Sequence, residues 1–175
     1  YRDYRLKSLM ANKVELKGDH SVRFEEVLSP VKGTRVFRLD MDAFQGDPED
    51  FKNHFSSDEW SSMDSEKMTD KRKREHILGR MVSKLGVSWY VNTTQSRPVS
   101  LSDIVIETEE GGRPYAILDG KRVEISISHS HRWAVCSVGD RQHGTDIELS
   151  ESRDMAFSDE AFDPQEVQLL RRIQE

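Results

Sequence analysis

Residues 123–148 read VEISISHSHRWAVCSVGDRQHGTDIE, and the fold turns on this stretch. Val123, Ile125 and Ile127 alternate with Glu124, Ser126 and Ser128, the period-two pattern of a strand with one buried face. "RWAVCSV" follows the "HSH" turn as the expected hairpin partner, and "GTDIEL" is expected to open a third strand. A Ser-His pair therefore ends one apolar run, and two carboxylates, Asp146 and Glu148, share a face of the next.

Toward the N-terminus, "DIVIET" and "PYAIL" are short strand candidates around a Gly111-Gly112 turn. "TDKRKREHILGRMVSKLG" reads as a helix that buries Ile77, Leu78, Met81, Val82 and Leu85, with Gly86 as its expected stop. Its first turns carry Lys71, Arg72, Lys73 and Arg74, against the usual preference for acidic residues at a helix start. A solvated cationic face and an anion cradle both fit that stretch. Ser56 and Glu59 have the spacing of a reciprocal helix cap, and "TRVFRLDMDAF" reads as one strand. Residues 1–33 show no sustained period and end in "SPVKG", so they read as a linker or a loosely attached segment.

At the other end, "FDPQEVQLLRRIQE" starts a helix with Asp163 as N-cap, Pro164 in the first position and Glu166 completing the cap. Its stripe is Val167, Leu170 and Ile173, and no terminator precedes Glu175. The first residue is Tyr1 rather than Met. Both ends lead us to expect a piece of something longer.

Composition narrows the function classes. The 175 residues are 35% hydrophobic and 33% charged, a wet composition that still contains compact apolar runs. A net charge of −6 argues against a nucleic-acid binder held by bulk positive charge and leaves only local anion sites. The single cysteine, Cys136, excludes an internal disulfide framework and favours a reducing compartment. With no signal-peptide pattern and no run near the roughly 20 apolar residues of a membrane span, the expectation is a cytoplasmic chain without a membrane partner.

On a strand, side chains at i and i+2 project together about 7 Å apart, so Asp146 and Glu148 offer two hard oxygen donors of the kind Mg²⁺ accepts alongside phosphates. D-x-E is short, and an ordinary half-exposed strand with its charges outward fits the spacing as well. A Ser-His-Asp hydrolase finds no nucleophile-elbow glycines around Ser128 or Ser130. A zinc site from His129, His131, His143 and Cys136 lacks paired ligand spacing. His129 alone could simply satisfy backbone groups in a hairpin.

The order of the pieces says more than any one of them. "GRP", "ISISHSHRW", "HGTDIE" and the "AFDPQE" helix start, behind a helix containing "HILGR", resemble 4′-phosphopantetheinyl transferases of the surfactin-synthetase-activating type. The resemblance spans residues 36–175, and its most specific part is Ser128-His129-Ser130 followed by Gly144-Thr145-Asp146-Ile147-Glu148. It implies an α+β fold, a pseudo-twofold pair of α/β halves with coenzyme A between them. Residues 34–142 would be the first half, and 143–175 the truncated start of the second. It implies transfer of the phosphopantetheine arm of coenzyme A to a serine of an apo acyl or peptidyl carrier protein, with Mg²⁺ as cofactor and 3′,5′-ADP released.

By the same resemblance, Asp146 and Glu148 hold the metal and act with His129 as the catalytic set. Ser128 and His129 contact the 3′-phosphate, Arg113 and Pro114 line the nucleotide end, and Arg74 is the cation chosen from the Lys71–Arg74 stretch. Thr145 stands where relatives usually have Val or Ile. The family's Trp-x-x-Lys-Glu segment, which supplies a further carboxylate and a phosphate-binding Lys, does not occur in the 175 residues. The resemblance leaves that part to further sequence, other domains of a synthase or a second chain. It also leaves open a non-catalytic module that binds coenzyme A or a carrier protein within a larger synthase.

Overall fold

The structure is a computed structural model and describes residues 8–15, 21–27, 29, 31–63, 68–149 and 162–167. Among the described residues seven strands form one antiparallel sheet: β1 (Ser8–Glu15), β2 (Ser21–Val27), β3 (Thr34–Asp40), β4 (Val105–Thr108), β5 (Pro114–Leu118), β6 (Lys121–Ser130) and β7 (Trp133–Gly139). Their order is β1-β2-β3-β7-β6-β5-β4. Two α-helices, α1 (Ser57–Met63) and α2 (Asp70–Gln95), lie between β3 and β4 in the chain, which makes the fold α+β. Among the described residues no helix is long and apolar enough to cross a membrane.

The hairpins follow from their turn residues. β5 and β6 are joined by Asp119 and Gly120, both at positive φ, 51° and 69°, a backbone that suits the twist of paired strands. β6 and β7 turn through His131 and Arg132, with His131 at φ 54°, so Ser128, His129 and Ser130 all remain in β6. β7 then runs back to pair with β3 along its whole length, from Trp133↔Asp40 to Gly139↔Thr34.

α2 packs across β3, β7, β6 and β4 on one face of the sheet. Ile77, Leu78, Met81 and Val82 meet Phe37, Leu39, Ile125, Ala134 and Val138 in the main core, as the periodicity predicts. α1 begins with the expected cap: Glu59 N donates to Ser56 Oγ (3.2 Å), and Ser56 N donates to Glu59 Oε2 (2.9 Å). α2 does not stop at Gly86. It continues through the weak helix formers "VSWYVNTT" to Gln95 and ends at Ser96 in the left-handed region (φ 51°). Gly86 instead permits close approach, since a Cβ there would sit 2.8 Å from Phe37 Cδ2 and 3.3 Å from Val138 Cγ2. Tertiary packing overrides the local stop signal.

The linker reading of residues 1–33 also fails, because β1 and β2 lie within it. Phe24 is buried and stacks on Phe37 with centroids 5.3 Å apart, and Glu25 pairs across the strands with Arg38 (2.6 Å). Charges among single apolar residues here form a strand whose polar face is matched by its neighbour, which a search for a clean hydrophobic period does not detect. Of the C-terminal segment, the cap is present: Gln165 N and Glu166 N donate to Asp163 Oδ1 (2.8 and 3.0 Å) and Asp163 N donates to Glu166 Oε2 (3.0 Å). Leu170 and Ile173 lie outside the described residues.

The expected third strand is absent. After β7 the chain turns back over the face of the sheet that α2 leaves uncovered, and residues 144–148 lie across β6 and β7 without joining the ladder. Strand-like alternation survives: Thr145 and Ile147 are half-buried, while Gly144, Asp146 and Glu148 are exposed. Ile147 packs on Val27, Val36 and Val135 of that face.

Candidate functional site

Adjacent residues of a strand face opposite sides of a sheet, and β6 ends with Ser128 on one side and His129 on the other. Ser128 Oγ donates to Asp146 Oδ1 at 2.7 Å and accepts from Ile147 N at 3.3 Å. Four residues back along the same side, Glu124 holds Arg113 Nη2 at 2.7 Å and Arg122 Nε at 2.6 Å. Hydrogen bonding from Arg122, against the opposing effect of burial, keeps the Glu124 carboxyl below its ordinary range, helped by the charge of Arg113. Arg113 and Asp146 thus belong to one row on the helix-free face.

His129 points to the helix side. Its Nε2 lies 3.3 Å from Arg72 Nη1 and 3.6 Å from Glu75 Oε2, at the mouth of a cleft of about 780 Å³. The size is that of a small-molecule site. Arg72, Glu75, His76, Gly79 and Arg80 form one wall, and β4 and the start of β5, with Pro114, form the other. β5 pairs with β6 only between residues 115–118 and 121–124, so the β6 edge beyond Glu124 opens beside this cleft.

The cleft's titratable groups respond to one another. Burial first, then the charges of Arg80, Arg72 and His129, push His76 below the ordinary imidazole value, and its buried Nδ1 has no hydrogen-bond partner among the described residues. Burial also lowers Arg80, against the attraction of Glu59, while its guanidinium donates to Ile106 O (2.8 Å) and Thr108 Oγ1 (2.9 Å). Beneath the wall, Lys84 is fully buried, 3.0 Å from Glu59 Oε2, and donates to the carbonyl of Ile104. Glu59 Oε1 accepts from Ile106 N at 2.8 Å, so this pair ties α1, α2 and β4 together around the cleft.

The structure divides the sequence-predicted residues. Ser128, Asp146 and Arg113 fall on the helix-free face; His129 and Pro114 fall at the cleft; both groups meet at the end of β6. Arg74 has a different task. It donates to the carbonyls of Met41, Phe44 and Gly46 and lies over the Phe44 ring, securing the loop after β3. Two residues along a helix rotate the side chain by about 200°, so Arg72 rather than Arg74 shares the side of Glu75, His76 and Gly79. That i, i+3, i+4, i+7 spacing is the signal in the sequence that would have selected Arg72. Lys71 and Lys73 pair with Glu75 (3.9 Å) and Glu49 (3.6 Å).

Asp146 and Glu148 suit a hard cation. Asp146 Oδ1 is held by Ser128 and by Ile147 N (2.9 Å), and Glu148 makes no hydrogen bond or ion pair among the described residues. No three His, Cys, Asp or Glu converge among the described residues. A Mg²⁺ ion here would draw two protein carboxylates and complete its shell from water and a ligand's phosphates, which is its habit. Zinc has no such support: Cys136 is buried under α2, where burial pushes its thiol up to about 12.

No family model matches the chain. It is similar to the holo-[acyl-carrier-protein] synthase of Anoxybacillus flavithermus, 37% identical over 75 residues, which cover 42% of this chain and 62% of that protein. Proteins of the same name from Geobacillus sp. strain WCH70 and Bacillus subtilis are each 34% identical, over 73 and 74 residues, covering 41% of this chain and 61% of theirs. The chain spans less than two-thirds of the length of these curated relatives.

Proposed function

We propose that this chain is part of a 4′-phosphopantetheinyl transferase that moves the phosphopantetheine arm of coenzyme A onto a serine of an apo acyl or peptidyl carrier protein. The observation that carries the reading is the end of β6, where a carboxylate suited to a cation and a cationic place suited to a phosphate lie on opposite sides of one edge. Asp146 lies on one side, with the exposed Glu148 two residues on, and His129 with Arg72 on the other. A ligand that carries a metal-bound pyrophosphate and a separate phosphate needs one place of each kind. The similarity to holo-[acyl-carrier-protein] synthases supports the same chemistry.

The order of "GRP", "ISISHSHRW" and "HGTDIE" supports the surfactin-synthetase-activating type, with residues 34–142 as a first half and residues from 143 leading into a second. β1 and β2 pair onto the sheet that residues 34–142 build, so such a half would start before residue 34. In the reaction, the carrier serine oxygen bonds to the β-phosphorus of coenzyme A, the P–O bond to the α-phosphate breaks, and 3′,5′-ADP leaves. The serine proton passes to a base. When bound, Mg²⁺ would neutralise charge on the pyrophosphate. Asp146 and Glu148 would hold it, while Arg72 and His129 would seat the 3′-phosphate, with Pro114 and Arg113 beside the nucleotide end. An arginine donates in a planar fork that matches phosphate oxygens.

Transfer to an apo carrier protein, measured with and without Mg²⁺, tests the proposal. Asp146→Ala should abolish Mg²⁺-dependent transfer while the chain stays folded, and undiminished transfer by that variant refutes the metal assignment. Arg72→Ala should weaken coenzyme A by about 10- to 150-fold, the loss of one charge-assisted contact, and dephospho-coenzyme A far less. Coenzyme A binding without turnover in any extended form of the chain favours the non-catalytic module.

A further inference from the structure

Residues 144–148 lie on the sheet without a strand's hydrogen bonds, and three serines replace the ladder. Thr145 N donates to Ser126 Oγ (3.0 Å), Ile147 N donates to Ser128 Oγ (3.3 Å), and Thr145 Oγ1 donates to Ser137 Oγ (2.5 Å). Ser126 and Ser137 are direct cross-strand partners on β6 and β7, and Ser128 is the next residue on the same side. The spacing of two along β6 matches the spacing of two between Thr145 and Ile147, so the hydroxyls act as a raised ladder one side chain above the sheet. Thr145, a departure from the family's usual Val or Ile, supplies the third bond with its own hydroxyl.

We propose that Ser128 is a positioning residue for Asp146, fixing its carboxylate toward the metal from a seat of three serine hydroxyls, rather than a direct contact to phosphate. A serine hydroxyl has one hydrogen to donate and two lone pairs. Ser128 spends the hydrogen on Asp146 Oδ1 and one lone pair on Ile147 N. It has no hydrogen left for a phosphate oxygen unless it releases Asp146. The side chain that approaches a phosphate from this end of β6 is therefore His129, on the other side. Ile147 keeps its apolar anchorage on Val27, Val36 and Val135 whatever happens at Ser128, so the segment stays attached when the hydroxyl is removed.

The inference rests on the metal reading of Asp146 and Glu148 and can be separated from it. Mn²⁺ in the presence of coenzyme A is the probe, with its affinity measured by paramagnetic resonance, and amide exchange at Thr145 and Ile147 is read in parallel. Ser128→Ala should weaken Mn²⁺ by about 10- to 100-fold, the usual effect of removing a residue that orients a ligand, and should speed exchange at Ile147. Ser126→Ala should speed exchange at Thr145 and leave Mn²⁺ affinity within about threefold, as the loss of a more distant contact. Ser128→Thr keeps the oxygen on a strand that tolerates branching and should restore both readouts. Wild-type Mn²⁺ affinity in Ser128→Ala overturns the proposal while the metal reading stands. Absence of Mn²⁺ binding by the wild-type chain overturns both. Metal-free coenzyme A affinity that falls in Ser128→Ala as far as Mn²⁺ affinity does would show a direct phosphate contact and overturn the positioning role alone.

Discussion

The two faces of the sheet solve different problems. Under α2, Phe37, Leu39, Ile125, Ala134 and Val138 fill the core, and the charged side chains of Lys84 and Glu59 are enclosed together at its margin. On the other face, Glu25 takes Arg23 and Arg38 (2.7 and 2.6 Å), and Arg38 lies 4.4 Å from the Trp133 ring centre. Arg132 lies over the same ring and is paired with the buried carboxylate of Asp40. The first face derives its stability from volume and dryness, the second from directional pairs near water. A close-packed core cannot lend its side chains to a ligand without leaving voids, so the helix side offers a ligand only its margin, the cleft beside Arg72 and His129, whereas the hydrogen-bonded face can present carboxylates such as Asp146 at little structural cost.

The sharpest way to break this comparison is at the buried pair. Lys84→Met leaves Glu59 enclosed without its cation and should lower unfolding stability by about 3–5 kcal/mol in urea titrations. The double change Lys84→Met with Glu59→Gln, which removes the unpaired charge and keeps an acceptor for Ile106 N, should regain part of that loss. A single-mutant loss under about 1 kcal/mol would mean that the helix face is wetter than described. Next in size is Gly86→Ala, where the added methyl must displace Phe37 and Val138, an overpacking cost of about 1–3 kcal/mol. Neutral behaviour in thermal melts would show that α2 can lift off the sheet.

Acid should separate the faces by pH. His76, on the helix side, is held below its ordinary 6.5, so the unfolded chain takes up its proton first. Its contribution is complete above about pH 6.5 and is lost as pH falls below that value. On the other face Asp40 is pushed up by burial but held lower overall by Arg132 and the amides of Ala43 and Asp42, and Arg38 and Arg23 do the same for Glu25. Their contribution is present above the ordinary 3.8 and 4.5 and disappears as pH falls through the depressed native values. Stability measured against pH should therefore decline in two steps. His76→Gln should shrink the upper step and leave the share of His54, which burial and the charge of Lys84 also hold low, while Asp40→Asn should shrink the lower step and leave the share of Glu25; a variant that shrinks both couples the faces. The smallest effect belongs to Asp146→Ala, an exposed position over the sheet, expected to change stability by less than about 0.5 kcal/mol. A larger loss would make the carboxylate a structural member of its face.

Periodicity and cap chemistry were enough to read β3 to β7, the apolar stripe of α2 and the Ser56–Glu59 and Asp163–Glu166 caps, because each depends on residues a few positions apart. The motif pair Ser128-His129 and Asp146-x-Glu148 was legible for the same reason. β1 and β2 were not, since their charges make sense only beside the strands they pair with, and Gly86 was read as a stop because its true neighbours, Phe37 and Val138, lie about 50 residues away on either side. The same limit governs the site. The family resemblance names Ser128 and His129 both as phosphate contacts, and strand alternation sends them to opposite faces; tertiary structure decides what each meets, Asp146 for one and Arg72 with Glu75 for the other. It places Arg72 beside His129 and Arg74 on the loop after β3, and lifts residues 144–148 out of the sheet onto serine hydroxyls. Local pattern specifies which groups exist and how they repeat along the chain, but the partner each group meets depends on long-range packing, and that partner decides its role.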